Sequence, residues 1–256
     1  MSYKTLTVQT QGNVVVISII GPGDVEKMVH QSNEFTDLCK EIAWDENIRT
    51  IILTGIGEKS FSIEPDSTKI NSRGEDAIWT RCGFIAEPIA NLERPVIVAI
   101  SGDAIGMGLE LVLACDIRIA IESSHFGLPH IKAGLIPWDG GSQRLPRLVG
   151  KGKALEMILT GELVDAQEAL RIGLVNKIVP PDKLMIVTMD IAKKMATRGP
   201  IALRYAKEAI YQGMDMTLEQ GLRLEADLYL LLHATRDRTE GIQAFQEKRS
   251  PNFKGE

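Results

Sequence analysis

The stretch from Arg94 to Ile121, RPVIVAISGDAIGMGLELVLACDIRIAI, limits the fold more than any other part of the chain. Pro95–Ile100 is a short, wholly apolar run and reads as a buried strand. A Gly-rich turn follows, with Gly102, Gly106 and Gly108, and leads straight into an apolar helix carrying one carboxylate, Glu110. Asp116–Ile121 then returns as a strand. Strand, helix, strand within so short a span predicts a βαβ unit with parallel pairing.

The rest of the first half repeats the theme. Thr5–Thr10 and Val14–Ile20 flank Gln11-Gly12 and read as a hairpin. Val29–Ile42 has helical spacing of its apolar residues, and Thr50–Thr54 is a short strand closed by Gly55. Ala77–Leu92 reads as a helix stopped before Arg94-Pro95, since the residue before a proline is pushed out of helical geometry. The fold class is therefore α/β. After about Val149 the pattern turns helical, with predicted helices at Gly152–Leu159, Ala166–Ile172, Leu184–Arg198, Pro200–Tyr211 and Thr217–His233. The last of these has a wide apolar face, including Leu218, Leu222, Ala226, Tyr229 and Leu232. A core made within this tail alone would be thin, so the tail is expected to pack on another subunit. The division that follows is a core domain over 1–195 and a C-terminal helical oligomerisation region over 196–256.

Charge and cysteines narrow the function. A net charge of −5 argues against a nucleic-acid or anionic-membrane partner. No apolar run reaches membrane-span length, and the first residues lack a signal-peptide pattern. Cys39, Cys82 and Cys115 have no paired spacing, which predicts reduced thiols, no metal site and a cytoplasmic protein. The glycines around Gly106 lack G-x-G-x-x-G spacing, so no dinucleotide cofactor is inferred.

The candidate chemistry lies within fifty residues. A helix N-terminus presents free N–H groups to negative charge. Glu110 sits among Leu109, Leu111, Val112 and Leu113, company in which a charge is rarely buried without a purpose. His130 and Asp139 stand nine residues apart. Asp139, before Gly140-Gly141, also reads as a turn or helix-cap residue. Trp138 reads either as packing or as a pocket wall.

Several segments taken in order resemble the crotonase (enoyl-CoA hydratase/isomerase) superfamily. They are IILTGIGEKSFS with Asp66 beyond it, RPVIVAISGDAIGMGLELVLACDIRIA, the long stretch from FGLPHIKAGLIPWDGGSQRL to VNKIVP, and AFQEKRSPNFKGE at the end. The resemblance implies a crotonase-like spiral of βαβ units with a C-terminal helical trimerisation region, assembled as a trimer or a dimer of trimers. It implies a carbonyl held between two backbone N–H groups, which map to Met107 and Pro65. Proline has no N–H. Either Ile63, Glu64 or Asp66 supplies the donor instead, or the oxyanion is held by fewer donors. Hydratases of the family carry two glutamates. One maps to Glu110; the other maps to His130.

A His at that position with an Asp nine residues on resembles the 6-oxocamphor hydrolase and β-diketone hydrolase branch, and Glu64-Pro65-Asp66 resembles that branch's acidic loop. The implied activity is hydrolytic carbon–carbon cleavage of a 1,3-dicarbonyl compound. His130 would activate water, Asp139 would orient the imidazole as in a catalytic triad, and Glu110 would bind water or protonate the enolate. The alternative is an enoyl-CoA hydratase or isomerase with Glu110 as acid/base. The tail favours it, because Phe245 and Lys248 match the residues that reach toward CoA in the CoA-using members. The adenine-lining Asn-Ala-Leu segment of those members is replaced here by GPGDVEKMV. Glu64, Asp66 and Trp138 are expected to line the pocket, with no cofactor beyond CoA as part of the substrate.

Overall fold

The computed structural model describes residues 3–20, 25–56, 61–63 and 85–256, with the backbone path alone at 25–29, 62 and 63. Glu64, Pro65, Asp66, Cys82 and positions 77–84 of the expected helix lie outside the described residues.

Strands β1 (Leu6–Gln11) and β2 (Val14–Ile20) form the expected hairpin. Its turn is Gly12-Asn13, one residue later than predicted, because Gln11 still pairs with Val14. Gly12 has φ 60°, the backbone that a two-residue hairpin turn requires. Then follow α1 (Val25–Trp44), β3 (Thr50–Ile56), β4 (Phe61–Ile63), α2 (Ala86–Ala90), β5 (Val96–Ile100), β6 (Ala104–Gly106), α3 (Met107–Ala114), β7 (Ile117–Ile121) and β8 (His125–Gly127). A short 3₁₀ turn (Pro129–Ala133) leads to α4 (Gly141–Val149), α5 (Lys151–Thr160), β9 (Val164–Asp165), α6 (Ala166–Arg171), β10 (Lys177–Val179) and α7 (Leu184–Ala196).

The strands sort into two sheets. The larger has the order β1-β2-β3-β5-β7-β10 and the smaller β4-β6-β8-β9. Each pass of the chain lays one strand in the large sheet and the next in the small one: β3 then β4, β5 then β6, β7 then β8. That alternation is the spiral. All neighbours in the large sheet beyond the hairpin are parallel. Parallel strands are covered on both faces and so read as unbroken apolar runs. In β3, Ile51 and Leu53 face the main core with α3, while Ile52 faces the opposite layer with Leu184 and Ala192 of α7. In β5, Val96, Val98 and Ile100 take the first side and Ile97 and Ala99 the second.

Three helices complete the chain: α8 (Pro200–Gly213), α9 (Leu218–Leu232) and α10 (Arg236–Gln246). Thr217 and Gln220 form a reciprocal capping box at the start of α9. No residue of α8 is buried, and in α9 only Leu228 is. Polar contacts tie α8 to the spiral. Asp116 accepts from the Val96 N–H at 2.7 Å, Lys207 Nζ at 2.9 Å and the Tyr211 hydroxyl at 2.8 Å. Asp116 is thus the knot joining β5, β7 and α8.

Candidate active site

Helix α3 begins with no loop before it. Gly106 ends β6 and turns the chain at φ 62°, ψ −133°, a backbone open to glycine and little else. Gly108, the second helical residue, has its own constraint. A Cβ there would overlap the backbone carbonyl of Phe61 in β4. This close approach sets the N-terminus of α3 against β4, the strand leading toward Glu64–Asp66. Met107 is the first helical residue and is 3% exposed. Its N–H belongs to the first turn, where amides have no intrahelical acceptor.

Glu110 is fully buried. Its Oε1 accepts from the Asp139 and Gly141 N–H groups, each at 2.8 Å. Its Oε2 is buried with no hydrogen-bond partner and lies 3.6 Å from His130 Nε2. Burial pushes the Glu110 pKa up to about 7; the Gly141 N–H opposes this and the Asp139 charge adds to it. Burial moves His130 the other way, below its usual 6.5. Its Nδ1 is buried without a partner of good hydrogen-bond geometry, so the opposing pull of the Leu128 backbone offsets that burial only in part. Both shifts favour neutral groups, as expected for a titratable pair taken out of water.

The expected contact between His130 and Asp139 does not form. The Asp139 carboxylate is used elsewhere: Oδ2 accepts from the Ile85 and Ala86 N–H groups, both at 2.9 Å, at the start of α2. His130 turns to Glu110 instead. Asp139 is therefore a helix-end anchor, the plainer of the two readings of its sequence position, although the helix it holds is distant in sequence. Burial raises its pKa to about 6, against the two N–H groups that lower it.

The sequence reading missed Gly141 and Arg144. Arg144 Nη1 donates to the Asp139 carbonyl at 2.7 Å. Gly140, at φ 99°, lies under the guanidinium, where a Cβ would collide with it. A Cβ on Gly141 would stand 2.9 Å from Glu110 Oε1 and from Pro137 Cβ. The Gly-Gly pair and the Arg four residues beyond Gly140 were the available signal. Trp138 is half-buried and packs on the main core. Phe245, at 86% exposure, and Lys248, which follows α10 at φ 55°, lie on the surface of the C-terminal region. A cavity of about 390 Å³ lined by Gln9, Ser18, Thr54, Ser101 and Asp182 includes neither Glu110 nor His130.

A two-sheet spiral with a buried acid in the first turn of a strand-abutting helix is a crotonase-type architecture. The chain belongs to the enoyl-CoA hydratase/isomerase family, whose model matches residues 9–256. It is 47% identical over 221 residues to a 2,3-dehydroadipyl-CoA hydratase of Escherichia coli K12, covering 83% of this chain and 84% of that protein. It is 35% identical over 260 residues to a crotonyl-CoA hydratase of Syntrophomonas wolfei, covering 99% of each. The crystal structure of an enoyl-CoA hydratase from Bacillus anthracis matches with a TM-score of 0.89 at 40% identity, over 99% of this chain and 100% of that one.

Proposed function

We propose that this chain adds water across the double bond of an α,β-unsaturated acyl-CoA thioester, with Glu110 and His130 moving the protons. The observation that carries the proposal is the orphaned Oε2 of Glu110, 3.6 Å from His130 Nε2, on a carboxyl whose other oxygen is fixed by two N–H groups. Two groups pushed apart in pKa define an acid and a base. His130, neutral, takes a proton from water as the oxygen bonds to the β-carbon. The electron pair of the C=C bond moves onto the thioester oxygen, which the Met107 N–H stabilises. Glu110, protonated, delivers its proton to the α-carbon. A transfer from His130 to Glu110 restores the pair, and the net change is one water added. The same site run without water would move a double bond, which is the isomerase form of the chemistry.

Phe245 and Lys248 are assigned to the CoA moiety, Lys248 as a point charge for phosphate. The exposed apolar residues of α9 and α10 are assigned to a second copy of the chain in a trimer. The β-diketone hydrolase reading rested on Asp139 orienting His130, and Asp139 is engaged with α2.

The test offers purified protein crotonyl-CoA and a cyclic 1,3-diketone in parallel, with products followed by mass. The hydratase reading expects 3-hydroxyacyl-CoA from the first and no turnover of the second. Ring opening of the diketone with no hydration of the thioester would overturn it.

A further inference from the structure

Asp139 is joined to the site three ways. Its N–H donates to Glu110 Oε1, its carbonyl accepts from Arg144, and its carboxylate receives the Ile85 and Ala86 N–H groups. Asp139 is 3% exposed and Glu110 fully buried, so solvent does not screen one from the other. We propose that Asp139 is a positioning residue: it ties the start of α2 to the peptide that holds Glu110, and its carboxylate charge adds to burial in keeping Glu110 protonated for delivery to the substrate. The proposal rests on Glu110 as the proton donor of the reaction above.

The arrangement has a physical logic. A carboxyl that must deliver a proton near neutrality needs its pKa held up. Burial does most of this, and a neighbouring negative charge adds to it. That neighbour has to remain ionised while itself buried. Two backbone N–H groups at the start of α2 stabilise the Asp139 charge. Arg144 lies near both carboxylates and Glu87 near Asp139. Arg144 lowers both pKa values and Glu87 raises that of Asp139. His130, on the far side of Glu110, is held toward its neutral form and adds no fixed charge.

Both N–H groups at Asp139 go to the same oxygen, Oδ2. The amide of D139N can therefore keep both bonds through its single carbonyl oxygen while losing the charge, and D139A loses both. The experiment titrates the Glu110 carboxyl itself by carbon NMR in protein labelled at the glutamate side-chain carboxyl, with E110Q identifying the signal. It compares wild type, D139N and D139A and needs no substrate. In D139N the Glu110 titration is expected to move to lower pH by roughly half a unit or more, as loss of a like charge requires. Amide hydrogen exchange at Ile85 and Ala86 should stay near wild type in D139N and quicken in D139A. A Glu110 titration unmoved in D139N would overturn the proposal and leave Asp139 a structural clamp. A His130 titration that moves down while that of Glu110 stays fixed would also overturn it, in favour of a His130–Asp139 pair. Failure of the hydratase reading would appear separately, as a Glu110 that titrates as expected in a protein that does not hydrate crotonyl-CoA.

Discussion

The site region, from Gly106 to Arg144, and the C-terminal helices, from Pro200 to Gln246, solve opposite problems. In the first, most buried polar groups are paired within one chain; Ser124 Oγ, His130 Nδ1 and Glu110 Oε2 are not, and Glu110 Oε2 faces His130. In the second, Lys207 and Tyr211 reach Asp116 of the spiral, and many large apolar side chains are exposed. Leu218 is 79% exposed and Leu230 64%. The contrast teaches that the buried acid/base pair and the exposed apolar surface are housed apart. A folded chain keeps an apolar face of this kind for a partner surface, whereas a buried lone carboxyl oxygen points to a reaction.

The sharpest way to break the comparison is at its first pole. Glu110→Gln keeps an oxygen for the Asp139 and Gly141 N–H groups and removes the transferable proton. A fall in kcat of roughly 10²- to 10⁴-fold is expected, with KM little changed, in steady-state hydration assays. Gly108→Ala comes next. Its methyl group meets the Phe61 backbone rather than a flexible side chain, and overpacking of this kind costs about 3 kcal/mol. Denaturant titration would measure that loss. The counterpart at the other pole is Leu230→Asp, which should change the stability of the isolated chain by less than about 0.5 kcal/mol while dissociating the oligomer in sedimentation velocity. Unchanged sedimentation would remove α9 from any subunit interface.

A smaller effect runs against intuition. The folded-state pKa of Glu110, about 7, lies above its ordinary value of 4.5. Stability from this group is fully present below pH 4.5 and is lost as pH rises toward and past 7, since the unfolded chain ionises first. Glu110→Gln should therefore be more stable than wild type at pH 8, by about 1 kcal/mol or roughly 2–4 °C in Tm, with the difference gone at about pH 5. Thermal unfolding at the two pH values checks this. The smallest effect is at Lys248, where substitution by Ala should raise KM for the CoA ester a few-fold and leave kcat alone, as expected of a point charge on phosphate.

Much of the large sheet could be read from the sequence, because strands buried on both faces announce themselves as apolar runs such as VIVAI and TIILT. The smaller sheet could not. Its strands are two or three residues long, too short for any alternation to register. Helix α10 was missed because RDRTEGIQAF has a weak apolar face and buries only Asp237 and Ala244. Glu110 was legible because a charge inside MGLELVLA has few structural excuses. The partner of Asp139 was not legible at all. Nine-residue spacing from His130 suggested one pair, and only the three-dimensional path brings Ile85 and Ala86 to the carboxylate 53 residues or more away in sequence.

The central claim is that Glu110 and His130 act while holding one proton between them. The direct test is the pH dependence of kcat/KM for crotonyl-CoA hydration in wild type and His130→Ala. The account predicts a bell: an acidic limb below 6.5 where His130 becomes protonated, and an alkaline limb near 7 where Glu110 loses its proton. The acidic limb should vanish in His130→Ala, with activity much reduced. A wild-type rate that climbs steadily through neutrality to an alkaline plateau at about pH 9, or an acidic limb that survives in His130→Ala, would contradict it.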